Sequence, residues 1–110
     1  MKKFIVIYHA PADAVAQMGS ATPEQQAEGM KPWFAWKDRV GDKLVDFGTP
    51  LWGGTRLLPD GSSQASSKEV SGYSILQASD MNEAKRLLKG HPHLTWAGGC
   101  DIEVHECAEM

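Results

Sequence analysis

The sequence lacks the features that mark several large classes of protein. The apolar run that follows Lys2 and Lys3, Phe4–Tyr8, has only five residues, which is too short to span a membrane or to form the core of a secretory signal peptide. Lys and Arg number 11 against 14 Asp and Glu, and the net charge is −3. Because no basic patch stands out, we expect no binding to nucleic acid and none to membranes.

Cysteine is scarce, and cofactor motifs are missing. Cys100 and Cys107 are seven residues apart in a predicted strand, so they face opposite sides and cannot pair locally. We expect two reduced thiols, as is usual in a cytoplasmic protein. The chain has no glycine-rich phosphate loop and no metal-ligand cluster of normal spacing, which predicts neither a cofactor nor a metal. With no complete catalytic motif, the sequence leaves open whether the protein is an enzyme.

The first predicted strand is apolar on both faces. Side chains alternate along a strand, so Phe4, Val6 and Tyr8 point one way while Ile5 and Ile7 point the other. A strand with one solvent-exposed face would carry polar residues at every second position. Both faces should therefore be covered, and the 110 residues offer helices enough for one of them. We expect a second copy of the chain to cover the other.

The helix-capping residues, turn residues and predicted strands together indicate a single α+β domain over residues 1–110. Thr22 with Gln25, and Asp80 with Glu83, have the spacing of capping boxes at the start of two helices. Pro32 and Gly29 interrupt the first of these, which fits either one kinked helix or two helices. The predicted strands are Lys3–His9, a broken region over Leu44–Leu58, Val70–Ala78 and Cys100–Cys107, while Ser62–Ser67 is predicted to be mobile.

This order, β-α-β-β-α-β, is that of a ferredoxin-like fold with a four-stranded antiparallel sheet. Its first and third strands are central, in agreement with the two apolar faces of the first strand. Both helices lie on one face of such a sheet. Pairing of two helix-free faces would give a homodimer.

From Pro59 onward the chain resembles the YCII-related proteins, and specifically their DGPF-domain branch. The opening strand ending in Tyr8 and His9 and the Trp33–Gly48 segment also fit, so the resemblance covers most of the chain. The elements that carry it are Asp60-Gly61, Lys68-Glu69, Gly72–Leu76, the Asp80–Leu88 helix with Glu83-Ala84, His91-Pro92 and Ile102–Val104.

The resemblance implies a dimeric α+β barrel in which two ferredoxin-like sheets face each other. Two departures from the family pattern concern its chemistry. Ser62-Ser63 follow Asp60-Gly61 where the naming motif has Pro-Phe. The family's suspected acid/base pair, a His in the first helix and an Asp before a late Pro, falls near Met30 and on His91 in this chain.

Histidines are the first candidates for chemistry. His91, in a loop after a helix, is the predicted general acid or base, and His93 is a predicted ligand contact. The alternative is that His91 merely caps the end of the helix. His9 at the end of the central strand is a second proton-transfer candidate, with His105 in the strand beside it, and Asp46 is a third.

Aromatic residues and one arginine complete the candidate set. Trp33 lies on the core face of the first helix, so it could serve packing or a pocket, and Tyr8 stands beside it as a ligand contact. Trp52 and Trp96 occupy glycine-flanked loops, where an aromatic side chain lines a pocket, lies in an interface or simply packs. Arg56 is a candidate clamp for a substrate carboxylate, against the alternative of an exposed strand charge.

Two functions follow from these residues. The first is a dimer that binds a small, partly apolar organic ligand between the sheet and the first helix, with His91 and His9 or Asp46 moving any proton. The second is a non-catalytic accessory or regulatory protein, because proteins resembling this branch are often encoded beside extracytoplasmic-function sigma factors. A filled space beside His91 would favour the second.

Overall fold

A computed structural model describes all residues, 1–110. Its helices are α1 (Ala12–Gly19), α2 (Pro23–Val40) and α3 (Met81–Leu88), with short 3₁₀ turns at Gly41–Lys43 and Pro92–Thr95. Its strands are β1 (Lys2–His9), β2 (Leu44–Asp46), β3 (Thr55–Leu57), β4 (Ser63–Ala65), β5 (Val70–Ala78) and β6 (Asp101–Glu106). No helix has the length and hydropathy that crossing a bilayer would require.

Four of the strands form one antiparallel sheet in the order β2-β5-β1-β6, and β3 pairs only with β4 in a separate hairpin. With the hairpin and the short helix α1 set aside, the order of elements is βαββαβ, and the first and third strands of the sheet are central. The predicted ferredoxin-like fold is thus confirmed. The doubly apolar first strand is the observation that pointed to it.

Helix α2 begins and ends where its sequence predicts. The Thr22 hydroxyl accepts a hydrogen bond from the Gln25 N–H at 3.1 Å, and the Gln25 side chain accepts one from the Thr22 N–H at 2.9 Å. The helix runs through Pro32 as one element and ends before Gly41. Of the two arrangements the sequence allowed, the single helix is therefore correct.

Helix α3 departs slightly from its predicted cap. The Asp80 carboxylate accepts a hydrogen bond from the Glu83 N–H at 2.8 Å, as expected for an N-cap residue. The Glu83 carboxylate, however, accepts from the Ser79 N–H at 3.0 Å. In a complete capping box the Glu83 side chain would accept from the N–H of Asp80, so the observed bond lies one residue earlier in the chain.

The core lies between one face of the sheet and helices α2 and α3. Phe4, Val6 and Tyr8 of β1 are buried there against Trp36 of α2 and Leu88 of α3. The other face, called the open face below, carries half-buried apolar side chains at the centre of the sheet. These are Ile5, Ile7, Tyr73 and Ile75, with Glu103 and His105 of β6 beside them.

The prediction for residues 62–67 missed a strand, because Ser63–Ala65 forms strand β4 against Thr55–Leu57. The turn chemistry was read correctly, because Asp60 accepts hydrogen bonds from the N–H and the hydroxyl of Ser62 at 2.9 and 2.6 Å. What the sequence did not signal is the pairing, since Ser63-Gln64-Ala65 has low strand propensity.

Gly48 occupies a position that no other residue can take without movement of the sheet. Its φ is +77°, and a Cβ there would overlap the carbonyl oxygen of Tyr73. Gly53 has a similar φ of +69° but open space around it. We expect Gly48→Ala to lower the free energy of unfolding by roughly 2–3 kcal/mol, against about 1 kcal/mol for Gly53→Ala, where only the backbone conformation is strained. Urea unfolding of both variants measures the difference, and equal losses would contradict it.

Candidate active site

The fold gathers four polar side chains in its core. Tyr8 is the last inward-facing residue of β1, and Ser74 faces the same side from β5. His91 and His93 come from the turn that follows α3. All four are buried, with exposed fractions of 3% for Tyr8, 0% for Ser74 and His91, and 2% for His93.

The hydrogen bonds among them have a single consistent direction. The backbone N–H of His93 donates to Nδ1 of His91 at 3.0 Å, so a neutral His91 carries its proton on Nε2. That Nε2 lies 3.4 Å from the Tyr8 hydroxyl, which in turn lies 2.7 Å from the Ser74 hydroxyl. Ser74 donates to the Phe47 carbonyl oxygen at 2.6 Å. The Tyr8 hydroxyl therefore donates to the Ser74 hydroxyl and accepts from the His91 Nε2–H. The contact between Tyr8 and His91 is the longest in this series of hydrogen bonds.

Aromatic rings enclose this chain of hydrogen bonds. Trp33 and Trp36 meet the His91 ring with their edges, at centroid distances of 4.6 and 4.4 Å. Trp33 also packs edge-on against Tyr8 at 5.1 Å and lies 6.3 Å from Phe47. Trp36 is buried and bonded through its indole N–H, whereas Trp33 is only half-buried. Of the two tryptophans that contact His91, Trp33 is the one that also reaches solvent.

Burial keeps both ionisable members of the chain neutral. Loss of hydration, with smaller contributions from His93 and Arg39, lowers the pKa of His91 to about 3. Loss of hydration also raises the pKa of Tyr8 to about 12, against a smaller opposing effect of the Ser74 hydrogen bond. The pKa of His93 is lowered by burial too, although its Nε2 donates to the His9 carbonyl oxygen at 2.7 Å.

These values decide what the arrangement can do. An imidazole with a pKa near 3 is a weak base at neutral pH, so His91 is poorly suited to remove a proton from a substrate. A neutral imidazole that presents an N–H in a dry site is instead a good hydrogen-bond donor to a developing or existing negative charge. The chemistry available here is donation from His91 Nε2 and from the Tyr8 hydroxyl.

His9 lies apart from His91, on the open face. Its Nδ1 is 3.0 Å from the Lys68 carbonyl oxygen and its Nε2 is 2.8 Å from a Glu103 carboxylate oxygen. Both partners are acceptors, so the His9 ring lies between a carbonyl oxygen and a carboxylate. The other Glu103 oxygen is 2.7 Å from His105 Nε2, and the hydrogen bonds from His105 and His9 lower the pKa of Glu103.

The other predicted residues are also dispersed. Asp46, at the edge of the open face, accepts hydrogen bonds from the Gly48 N–H and the Tyr73 hydroxyl at 2.8 and 3.3 Å. Trp96 lies near His93, with ring centroids 5.9 Å apart, and is 40% exposed. Trp52 and Arg56 belong to the exposed segment that includes β3. The fold therefore brings Tyr8, Trp33, His91 and His93 together, with Trp96 at their edge, and leaves the rest elsewhere.

Sequence reasoning missed Ser74 and Trp36 as members of the site. Ser74 lies on the inward face of β5, where a serine among apolar residues signals a hydrogen-bond partner. The indole N–H of Trp36 donates to the Leu87 carbonyl oxygen at 2.9 Å, and its ring contacts His91. Glu103, which links His9 to His105, was read only as the polar side of an alternating strand.

Two surface grooves lie outside this cluster. One, of about 480 Å³, runs between the end of α2 and β2 and includes Lys37, Asp46 and Phe47. The other, of about 470 Å³, lies where β1 ends beside β6 and includes His9 and Glu103. Neither is lined by His91. No three His, Cys, Asp or Glu side chains are grouped so as to hold a metal ion.

Comparison with known proteins yields a structural likeness only. No protein-family model matches the sequence, and no curated protein matches it. Among solved structures, the chain is similar to 5-chloro-2-hydroxyhydroquinone dehydrochlorinase (TftG) from Burkholderia phenoliruptrix AC1100, determined in complex with 2,5-dihydroxybenzoquinone. The two chains share 14% sequence identity over 94% of this chain and 91% of the other, with a TM-score of 0.49.

Proposed function

We propose that the protein is a homodimer of the YCII-related, DGPF-like type that binds a small organic molecule beneath Trp33, with His91 and Tyr8 as its polar contacts. The observation that carries the proposal is the long His91–Tyr8 contact of 3.4 Å at the end of an otherwise short, directed hydrogen-bond chain. The His91 N–H is the donor with the weakest partner, and it lies under a half-buried side chain.

The surroundings define the class of ligand. Trp33, Phe47 and Tyr8 offer aromatic surfaces, which favour a flat, apolar body. The His91 N–H favours an acceptor oxygen, such as a carbonyl or a phenolate, in a site where a hydrogen bond to charge is strong. Displacement of the Trp33 side chain would admit such a molecule, and the neighbouring Pro32 removes one hydrogen bond from this part of α2.

Dimerisation through the open face completes the proposal. Only 16 of the 110 residues are buried, and all the large buried side chains belong to one side of the sheet. Ile5 and Ile7 in the middle of the other side remain half-buried with no helix over them. A second copy placing the same residues against them would bury this face in an isologous contact. Any proton transfer by His9 or Asp46 would then belong to the interior of the dimer and not to the His91 site.

The ligand site is tested with a matched pair of tyrosine variants. Tyr8→Phe removes the hydroxyl that follows His91 in the chain, and Tyr73→Phe removes a hydroxyl on the opposite face of the same sheet. Phenol, benzaldehyde and acetophenone are titrated as probes, with tryptophan fluorescence as the measurement. We expect Tyr8→Phe to weaken the best probe roughly tenfold, the value of one hydrogen bond, and Tyr73→Phe to leave it unchanged.

Native mass spectrometry of protein purified from its host complements the titration, because it reports the subunit count and any retained ligand together. Equal affinity of all three proteins for every probe, with no retained mass, would contradict binding at His91. A retained molecule lost only in the Tyr8 variant would support it directly.

One observation favours a second candidate, a non-catalytic accessory protein. His91 is fully buried, and Trp33, Trp36 and Tyr8 fill the space around its ring. A filled core of this kind can serve stability alone. The family resemblance supplies an alternative sigma factor as the partner. Stoichiometric co-purification of such a factor with the wild-type protein, with no small molecule retained, would favour this candidate over the first.

A further inference from the structure

The segment between β2 and β5 projects from the body of the protein as an arm, defined here as residues 51–67. Every residue of the arm except Leu58 is exposed, and its two strands pack substantially against no other helix or strand. The radius of gyration is 15.2 Å, whereas a compact chain of this length has about 13 Å. Exposure and the lack of packing together define the arm as a projecting element.

The arm is not expected to keep its form without a partner. Its strands have three residues each, and an isolated two-stranded hairpin of that size is marginal in water. It also carries large apolar side chains in solvent, since Trp52 is 69% and Leu57 is 75% exposed. Arg56 forms no ion pair within its own chain. Apolar surface and an unpaired cation on one projecting element indicate a docking element.

The groove of about 470 Å³ at the end of β1 and β6 has the complementary character. It is acidic, with three carboxylates against Lys68 and His9, and one apolar side chain lies among them. Its lining residues are His9, Lys68, Glu69, Gly99, Asp101, Ile102 and Glu103. Of these carboxylates, Glu103 is already bonded to two histidines, while Asp101 forms no ion pair.

Arm and groove lie at the same end of the sheet. The arm leaves the sheet on its β2 edge and the groove opens toward its β6 edge, although the groove also includes Lys68 and Glu69, which follow the arm in the chain. The arm begins where Leu51 donates its N–H to the Ser71 carbonyl oxygen at 3.0 Å, beside the start of β5 on the β2 side. The groove lies where His9 pairs with Asp101 at the start of β6. When two such sheets close into a barrel with the two-fold axis along the barrel, the β2 edge of one adjoins the β6 edge of the other at the same rim.

We propose that the arm of each protomer packs onto this groove of a second copy, with Arg56 directed at Asp101 and with Trp52 and Leu57 covering the apolar surface beside it. The inference rests on the proposed dimer and extends it. A stable interface buries about 800 Å² on each partner, and the exposed arm adds apolar area to that of the open face. The pair formed by Arg56 of one protomer and Asp101 of the other sets the position of the arm on the groove.

Charge reversal and its rescue test this contact on the full-length protein. We expect Arg56→Glu to weaken the dimer at least tenfold by sedimentation equilibrium in low salt, and Asp101→Arg to do the same. The double variant, which restores opposite charges, should recover most of the affinity. Arg86→Glu, a charge reversal on α3, is the control and should leave the dimer unchanged.

The outcomes separate the arm from the dimer itself. A wild-type dimer that Arg56→Glu and Asp101→Arg leave equally tight overturns the arm contact and leaves the proposed dimer standing. A wild-type monomer overturns both. Hydrogen exchange supplies an independent measurement, since amides of residues 55–57 and 63–65 should be protected in the dimer and lose that protection on dilution. Exchange that does not depend on concentration would also overturn the contact.

Discussion

Ile7→Asp is expected to convert the protein from a dimer of about twice 12.0 kDa into a monomer at micromolar concentration. Ile7 lies at the centre of the open face, between Tyr73 of β5 and Glu103 of β6 in the register of the sheet. An aspartate there would bury a charge beside Glu103 and the apolar Ile5 and Ile75 in any face-to-face dimer. Burial of an unpaired carboxylate costs several kcal/mol, enough to raise the dissociation constant by a factor of 10³ or more.

Size-exclusion chromatography with light scattering measures the mass directly. Leu94→Asp is the matched control, because Leu94 is 44% exposed in the turn after α3 and lies outside the open face. That variant should keep the wild-type mass. A wild-type protein that is monomeric at these concentrations would contradict the dimer, as would an Ile7→Asp variant that stays dimeric while folded by circular dichroism.

The fold could be predicted because a few residues constrain it tightly. The apolar run Phe4–Tyr8, with no polar residue on either face, predicted β1 as a central strand, and Val70–Ala78 was predicted with its observed boundaries. The Thr22 cap predicted the start of α2. These signals are local, and each one limits the chain to a single backbone conformation.

The features that were missed depend on contacts distant in sequence. Leu44–Leu58 was read as one broken strand region, but only Leu44–Asp46 joins the sheet and Thr55–Leu57 turns to β4. Nothing in the pattern of Ser63-Gln64-Ala65 states which strand it will meet. Pairing is decided by the path of the chain from Gly48 to Pro59, which composition does not specify.

The candidate site divides in the same way. His91, His93, Tyr8 and Trp33 were each singled out by residue type, and the fold brings them together. Their protonation states depend on burial and on which atom donates to which, such as the His93 N–H that fixes the His91 tautomer. The sequence alone suggests that His91 has the ordinary pKa of a histidine, close to neutral pH. Burial in the structure lowers that pKa, so His91 is an uncharged hydrogen-bond donor.

Acid should unfold this protein through His91 before the carboxylates contribute. In the unfolded chain a histidine takes up a proton near pH 6.5, but in the folded protein the pKa of His91 is about 3. Between these values the unfolded state binds the extra proton, so stability is lost as pH falls from 6.5 toward 3. The loss is up to about 1.4 kcal/mol per pH unit and on the order of 5 kcal/mol in total, comparable with the whole stability of a small domain.

The pH window from about 6.5 to 5.5 isolates the histidines, because the carboxylates of the unfolded chain, with ordinary pKa values near 4, remain largely ionised there. Urea unfolding at half-unit steps gives the slope. We expect His91→Gln to remove most of it even if the variant is less stable throughout, and His105→Gln, which removes an exposed histidine, to retain it. His93, whose pKa is also lowered by burial, accounts for the slope that remains in the His91→Gln variant. A wild-type slope that His91→Gln leaves unchanged would mean that His91 is solvated and charged in solution. The neutral donor on which the proposed ligand site depends would then be absent.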